Sequence, residues 1–87
     1  MTIKKPAKCG TLESNDIFLM VTPNEHGIEI DLESSVMQQF GNRIKEVIEN
    51  KLKDLGINNI KVVAQDKGAL DYTIEARVET AIKRGMM

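Results

Sequence analysis

One long amphipathic segment constrains the fold more than any other feature of the chain. Between residues 36 and 55, apolar side chains recur in steps of three and four, which places them on one stripe of a helix. Ser35 and Gln38 match the S-x-x-Q capping box of a helix start, and Gly56 follows the last turn, where helices often end. An apolar stripe of this kind packs against a sheet or another helix. The stripe consists of Val36, Met37, Phe40, Ile44, Val47, Ile48, Leu52 and Leu55.

Three segments around this helix have the pattern of β-strands. Residues 17–21 read Ile-Phe-Leu-Met-Val, and such side chains favour a pleated surface. In residues 28–33 and 60–65, apolar positions alternate with other residues, as in strands with one face toward a core. The segment Thr22–Gly27 has the composition of a turn, so we predict that the first two strands form a hairpin. Asp66-Lys67-Gly68 ends the third strand.

The C-terminal segment, residues 69–84, fits two patterns. A helical stripe extends through Ala81 and Ile82, and Glu79 and Lys83 have the spacing of a favourable i,i+4 ion pair. We favour a helix, because its pattern extends further along the chain than the strand pattern. The strand pattern is an alternation at Tyr72, Ile74, Ala76 and Val78.

Together these elements predict a single α+β domain over residues 1–87. Their order is β-β-α-β-α, and we expect a small antiparallel sheet packed against two helices. Residues 1–8, which include Lys4, Lys5 and Pro6, are expected to form a loose N-terminal arm.

Composition and charge exclude several classes of function. The 12 basic and 13 acidic residues nearly cancel, and the aromatic residues are only one Tyr and two Phe, so a nucleic-acid surface is not indicated. The longest apolar run, residues 17–21, is far shorter than the roughly 20 residues of a membrane-spanning helix. A signal peptide would have an apolar segment after its basic residues, and no such segment follows Lys4 and Lys5. We therefore expect a cytoplasmic protein that binds neither nucleic acid nor membrane.

Side chains that commonly carry catalysis or bind metals are scarce. One His and one Cys cannot build a four-ligand zinc site, and the chain has no phosphate-binding glycine motif and no G-x-S-x-G. His26 lies in the predicted turn and is more simply a solvated turn residue than a general base. Cys9 has only Lys8 beside it to activate it, so an inert thiol is favoured over a reactive one. We expect no catalytic residue and no metal site, and hence no enzyme acting alone.

Ser14 is the main candidate for a functional residue. It lies in the polar segment Gly10–Asp16, directly before the first predicted strand, where Gly, Asn and Asp favour turns and exposed loops. No base accompanies it, so its hydroxyl suits covalent modification better than catalysis. Of the other two serines, Ser35 is the predicted helix cap and Ser34 precedes it. On composition alone, a purely structural turn in which the Ser14 hydroxyl bonds a backbone amide remains an alternative.

The segment Gly10–Asp16, G-T-L-E-S-N-D, resembles the modification segment of the citrate lyase acyl carrier proteins, the gamma subunits of bacterial citrate lyases. The resemblance continues through V-M-Q-Q-F-G at residues 36–41, D-K-G-A-L-D at 66–71 and A-R-V-E at 76–79. It thus covers nearly the whole chain. The four-helix fold and the Asp-Ser-Leu motif of fatty-acid carrier proteins are not expected, because the chain has predicted strands and lacks that motif.

The resemblance implies a carrier with no catalytic activity of its own. In this family the serine matching Ser14 holds a 2'-(5''-phosphoribosyl)-3'-dephospho-CoA group through a phosphodiester, and the thiol of that group carries acetyl or citryl as a thioester. The alpha subunit, citrate CoA-transferase, exchanges acetyl for citryl. The beta subunit, citryl lyase, then releases oxaloacetate, so that citrate yields oxaloacetate and acetate. Holo-citrate-lyase synthase attaches the prosthetic group.

Two other functions stay open, together with two questions about the site. A carrier of a related complex such as malonate decarboxylase would bear the same group, whereas a purely structural subunit would bear none. Cys9 stands close to the modification segment, where a small residue such as alanine is expected. Glu13 and Asp16 flank Ser14, and we expect their charges to repel the phosphates of the arm and to push it into solvent.

Overall fold

A four-stranded sheet with both helices on one of its faces forms the protein, as described by a computed structural model for residues 2–87. The predicted α+β class, the order β-β-α-β-α and the C-terminal helix are confirmed, with one additional short strand at the start. The strands are β1 (Ala7–Cys9), β2 (Ile17–Thr22), β3 (Ile28–Ser34) and β4 (Ile60–Asp66), and the helices are α1 (Met37–Asp54) and α2 (Asp71–Met86).

The sheet is mixed, so the predicted antiparallel sheet is wrong in part, and the predicted hairpin does not form. The sheet runs β1-β2-β4-β3, and β4 pairs antiparallel with β2 but parallel with β3. The hairpin is wrong because the connection after β2 bonds to the start of β4. The Ile60 N–H donates to the Gly27 carbonyl at 2.9 Å, and the Gly27 N–H donates to Asn59 Oδ1 at 2.9 Å. β3, α1 and β4 form a βαβ crossover, which places two parallel strands side by side.

Alternation along the strands directs one row of side chains toward the helices. In β4 the predicted inward positions are all buried, and Val62 lies opposite Val21 of β2 and Ile30 of β3. The outward acidic residues of β3 are exposed, as their alternation predicts. The largest fully buried apolar side chains are Ile17, Leu19, Ile48, Leu52, Ile57, Ile60, Ile74, Val21, Val62 and Val78.

The start of α1 differs from the predicted capping box. The cap residue is Val36, and no side chain makes a capping hydrogen bond there. Ser34, rather than Ser35, has the polar role. Its hydroxyl accepts the Val36 N–H at 3.1 Å and donates to Asp66 Oδ2 at 2.8 Å. This serine therefore joins the beginning of α1 to the end of β4.

The end of α1 and the body of α2 agree with the sequence pattern. Gly56 has a φ of 76°, and the Ile57 N–H donates to the Leu52 carbonyl at 2.9 Å, which completes a Schellman motif. In α2, Lys83 lies 3.0 Å from Glu79 in the predicted i,i+4 ion pair. Within residues 2–87, neither helix combines the length and the apolar character that crossing a bilayer requires.

The N-terminal segment is packed against the domain. Ile3 is buried, and the N–H groups of Lys4 and Lys5 donate to the Gly85 carbonyl at 2.9 and 3.2 Å. The absence of a side chain at Gly85 leaves room for Ile3, whose Cβ would lie 3.1 Å from a Cβ at that position. The expectation of a loose arm over residues 1–8 is therefore wrong for these residues and for the start of β1. The first residue lies outside the described part of the chain.

Alanine substitutions at two glycines with positive φ measure how closely the segment Gly10–Asp16 packs against β2. Gly10 and Gly27 have φ of 98° and 88°, so alanine at either position costs roughly 1–3 kcal/mol of backbone strain. A Cβ at Gly10 would also lie 1.8 Å from the Ile17 carbonyl oxygen, whereas nothing lies within 4 Å of a Cβ at Gly27. We expect Gly10→Ala to lower the free energy of unfolding by about 1–3 kcal/mol more than Gly27→Ala. Urea denaturation measures both, and equal losses would contradict the close approach.

Candidate modification site at Ser14

Ser14 lies in an exposed turn between β1 and β2. The Asp16 N–H donates to the Glu13 carbonyl at 3.2 Å, and Asn15 adopts a left-handed conformation with φ of 65°. Within residues 2–87, the Ser14 hydroxyl makes no hydrogen bond. The side chain-to-backbone turn that was an alternative role for Ser14 is formed by Thr11, whose Oγ1 accepts the Glu13 N–H at 3.2 Å. The Ser14 hydroxyl is thus open to a reagent from outside.

An ion pair between a buried carboxylate and a partly exposed guanidinium anchors this turn to α2. Asp16 is only 8% exposed and accepts the Nε and Nη2 hydrogens of Arg77, each at 2.9 Å. The Thr11 hydroxyl and the Ile17 N–H donate to the same carboxylate at 2.7 Å each. The Arg77 hydrogen bond is the main cause that lowers the pKa of Asp16 to about 2, against the opposing effect of burial. The carboxylate therefore stays charged and fully bonded in the folded protein.

The expected electrostatic role of Asp16 is wrong. Its charge is buried and neutralised by Arg77, so it does not face the space around Ser14. Glu13, the residue before the serine in the sequence, has an exposed side chain. Repulsion of arm phosphates thus remains a prediction for Glu13.

A second turn supports the first. The Asn15 N–H donates to the Lys67 carbonyl at 2.8 Å, and the Lys67 N–H donates to the Asp16 carbonyl at 2.9 Å. The buried carboxylate of Asp66 shapes this second turn, because it accepts the N–H groups of residues 68 and 69 at 3.0 Å each. Ser14 therefore stands on two turns that are bonded to each other rather than on an unsupported loop.

Two of the other candidates from the sequence lie near this arrangement, and one lies apart from it. Ser35 borders a groove beside the turn; it is exposed and, like Ser14, makes no side-chain hydrogen bond within the described residues, so the lack of a partner alone does not single out Ser14. Cys9 is a buried free thiol beside Arg77, and its interaction with the guanidinium is, after the hydrogen bond of the ion pair, one of the lesser causes that raise the pKa of Arg77. His26 is exposed in the turn after β2. No group of three His, Cys, Asp or Glu side chains within residues 2–87 is arranged to hold a metal ion.

Sequence reasoning missed the residues that hold the turn. Arg77 and Asp16 lie 61 positions apart, so no local pattern joins them. One signal was available: Arg77 is three residues after Ile74 and four before Ala81, so it lies at the edge of the buried stripe of α2. A charged residue that is partly buried at such an edge favours a paired partner.

The chain is similar to known proteins over nearly its whole length. The family profile described as "ACP: Malonate decarboxylase delta subunit (MdcD)" matches residues 4–85. The citrate lyase acyl carrier protein of Halothermothrix orenii is 49% identical over 84 residues, which cover 97% of this chain and 89% of that protein. Its counterpart from Streptococcus uberis is 56% identical, with 97% and 83% covered. A chain of the Pseudomonas malonate decarboxylase hetero-tetramer in complex with malonate has a TM-score of 0.80 at 21% identity, covering 97% of this chain and 87% of that one.

The fold and these matches define an acyl carrier protein built on a mixed four-stranded sheet rather than on a four-helix bundle. Within that class, the chain belongs to the family of the citrate lyase acyl carrier proteins. The resemblance seen in the sequence is thereby confirmed.

The pair of Asp16 and Arg77 predicts a loss of stability in acid. The pKa of Asp16 in the folded protein, about 2, lies below its ordinary value of 3.8. The pair therefore stabilises the fold fully above pH 4, and about 2 kcal/mol is lost as the pH falls through 2. We expect Asp16→Asn to lower the free energy of unfolding by about 2 kcal/mol at pH 7 and to remove this pH dependence. Urea denaturation between pH 7 and pH 2 measures both effects.

Asp71 supplies the matched control. It forms a similar ion pair with Arg43 at 2.7 Å, but the two side chains are 50% and 56% exposed. Because exposed pairs contribute little, Asp71→Asn should cost less than about 1 kcal/mol. If both variants lost the same stability, the anchoring role of Asp16 would be refuted.

Proposed function

We propose that the chain is the acyl carrier subunit of a bacterial citrate lyase and that Ser14 is the attachment residue of its prosthetic group. The observation that carries this proposal is the state of Ser14, whose exposed hydroxyl has no partner in residues 2–87 on a turn that is itself firmly bonded. Identities of 49% and 56% to citrate lyase acyl carrier proteins support the choice of complex.

The residues around Ser14 fit a covalently attached 2'-(5''-phosphoribosyl)-3'-dephospho-CoA. A phosphodiester needs an accessible hydroxyl oxygen, and it needs no base or metal in the carrier once the bond has formed. Leu12, Ser34, Ser35 and Lys67 border an open groove of about 390 Å³ beside the turn, so the surroundings leave space for a bulky substituent. When bound, the group supplies a thiol that carries acetyl or citryl as a thioester.

The chain's own contribution is to position the attachment point. The bonds from Asp16 to Arg77 and from Asn15 to Lys67 fix the turn on which Ser14 lies. A tethered acyl group then meets the catalytic subunits at an effective concentration set by the tether rather than by diffusion through the cell. The chain itself supplies no acid, base or nucleophile to the cleavage of citrate.

Three enzymes would act on this carrier. Citrate CoA-transferase, the alpha subunit, and citryl lyase, the beta subunit, would act on the carried acyl group in the bacterial cytoplasm. Holo-citrate-lyase synthase would attach the prosthetic group. A chain of the same fold is a subunit of the Pseudomonas malonate decarboxylase hetero-tetramer, which supports a role for this carrier in a multi-subunit complex.

A carrier subunit of malonate decarboxylase is the second candidate. The matching family profile and the solved structure of the same fold favour it. Its sequence identity is lower, however, at 21% against 49% and 56% for the citrate lyase carriers. The reaction of the isolated complex separates the two, because one releases oxaloacetate from citrate and the other releases carbon dioxide from malonate.

The attachment residue is tested by intact mass and peptide mapping of the protein isolated from its own complex. We expect a mass increase that matches the prosthetic group, located on the peptide with Ser14. Ser14→Ala should abolish both the increase and the activity of the complex. Because the hydroxyl makes no hydrogen bond within residues 2–87, the same change should alter the free energy of unfolding by less than about 0.5 kcal/mol.

Ser35→Ala is the matched control, since Ser35 borders the same groove, is also exposed and has no side-chain hydrogen bond in the described residues, so that the change removes only a second unbonded hydroxyl. It should leave the modification and the activity unchanged. An unmodified Ser14 in an active complex would instead identify the chain as a structural subunit.

A further inference from the structure

We propose that an apolar groove beside the Ser14 turn is the docking site for the enzyme that attaches the prosthetic group to Ser14. This inference rests on the proposed function. The groove would be the surface through which the modifying enzyme recognises this chain, and its lining indicates the kind of side chain that it receives.

The groove lies between the first two turns of α1 and the segment that leads into α2. It has a volume of about 360 Å³, and its apolar lining comes from Val36, Phe40, Ile44, Ala69 and Leu70. Phe40 and Leu70 are 51% and 57% exposed and line the same groove, so they form a joint apolar patch rather than isolated exposed side chains. Such exposed apolar surface is typical of sites that bind another protein.

The groove is continuous with the turn that presents Ser14. Gly68 lines the groove, and a Cβ at Gly68 would lie 3.7 Å from Asn15 Oδ1, so the two features touch at this residue. Lys67, the neighbour of Gly68, exchanges backbone hydrogen bonds with both residues that follow Ser14. A protein that covers the groove therefore also lies beside the serine.

Apolar side chains are concentrated on the segments around this site. Of the eight large hydrophobic residues exposed within the described chain, five belong to the Ser14 turn, the start of α1 or the start of α2. Two others lie on the open face of the sheet, and one is the C-terminal residue. The five are Leu12, Met37, Phe40, Leu70 and Tyr72.

The size of a protein interface favours coverage of the groove by the modifying enzyme. A specific interface buries roughly 800 Å² on each partner, which corresponds to a circular patch of about 16 Å radius. The domain measures 31 × 20 × 18 Å. A patch of this size that includes the Ser14 oxygen takes in a large part of one side of the domain, and the groove adjoins the turn there.

The chemistry at Ser14 favours this enzyme over the acyl-cycling subunits as the occupant. Attack of the Ser14 oxygen on the phosphoanhydride of an activated donor forms the new O–P bond. The bond to the donor's leaving phosphate breaks, and the serine proton passes to a base of the enzyme. The reacting atoms must touch, so the enzyme surface must also reach the carrier. A subunit that acts on the end of a flexible arm has no such requirement.

The groove also indicates what its occupant presents. Its lining is mostly apolar, and the two charged residues that also line it, Arg43 and Asp71, form an ion pair that leaves little net charge there. An aliphatic or aromatic side chain fits this environment, because a charged group would be desolvated without a partner. The proposed contact is thus an apolar anchor residue of the modifying enzyme, inserted between Phe40 and Leu70.

The test is the rate at which purified holo-citrate-lyase synthase loads the apo chain with the activated donor, followed by intact mass. We expect Leu70→Glu and Phe40→Glu to lower kcat/KM at least about tenfold, mainly through KM. Met87→Glu is the matched control, since Met87 is 83% exposed at the opposite end of α2. Its loading rate should be within about twofold of that of the wild-type chain. Circular dichroism and unfolding curves establish that each variant is folded.

Competition provides a second measurement that does not depend on loading of the variant. Ser14→Ala cannot be modified but keeps the groove, so it should inhibit loading of the wild-type chain. The double variant with Leu70→Ser should inhibit at least about tenfold more weakly. Equal inhibition by the two would overturn the inference.

The outcomes separate the inference from the proposed function. Normal loading of the Leu70 and Phe40 variants on Ser14 would refute the docking site and leave the carrier role intact. Normal loading with weaker binding to the catalytic subunits would assign the groove to those subunits and would also refute it. A wild-type chain that is never loaded on Ser14 would refute both proposals.

Discussion

The hydrogen-bonded ion pair between Asp16 and Arg77 is the contact on which the arrangement of the site depends. It joins a turn that has no regular secondary structure to the middle of a packed helix. The position of Ser14 is consequently set by the packing of α2 on the sheet rather than by the residues of the turn alone. Removal of Arg77 would leave the buried charge of Asp16 without compensation, which is why the turn depends on that helix residue.

The mixed sheet explains why several loops meet at one place. β4 lies in the middle, and its last residue, Asp66, stands opposite Ile17 at the start of β2 and Ser34 at the end of β3. The segment before β2 and the segment after β3 therefore lie side by side at this edge of the sheet. The Asp66 carboxylate accepts the Ser34 hydroxyl and so holds the segment after β3. Lys67, in the turn after β4, exchanges backbone hydrogen bonds with Asn15 and Asp16 in the segment before β2. A surface composed of three distant parts of the sequence results.

Local patterns in the sequence predicted the elements well, and contacts between distant residues explain what they missed. The stripe of α1 from Ile44 to Leu52, the alternation of β4 and the glycine after α1 depend on neighbours within a few positions, and each was predicted, whereas Met37 and Phe40 of the same predicted stripe are exposed. The pairing of β3 with β4 depends on the βαβ crossover, which no alternation pattern reveals. The polar roles of Ser34 and Asp16 depend on Asp66 and Arg77, far along the chain. Ser14 was predicted from its turn-forming surroundings and from the resemblance of its segment, whereas the contacts that hold its turn required the structure.

The packing of Ile3 and Lys4 against Gly85 has a practical consequence for handling the molecule. Residues 3–5 and the last residues of the described chain lie together beside the last turn of α2, while the turn after β4, which supports Ser14, precedes the first turn of that helix. Arg77, which bonds the Ser14 turn, precedes Gly85 by eight residues, or roughly 12 Å along the helix. A fluorescent label, a purification tag or a surface tether attached beside Gly85 is therefore held away from the serine. Attachment to a sensor chip at that place leaves the Ser14 turn accessible from solution.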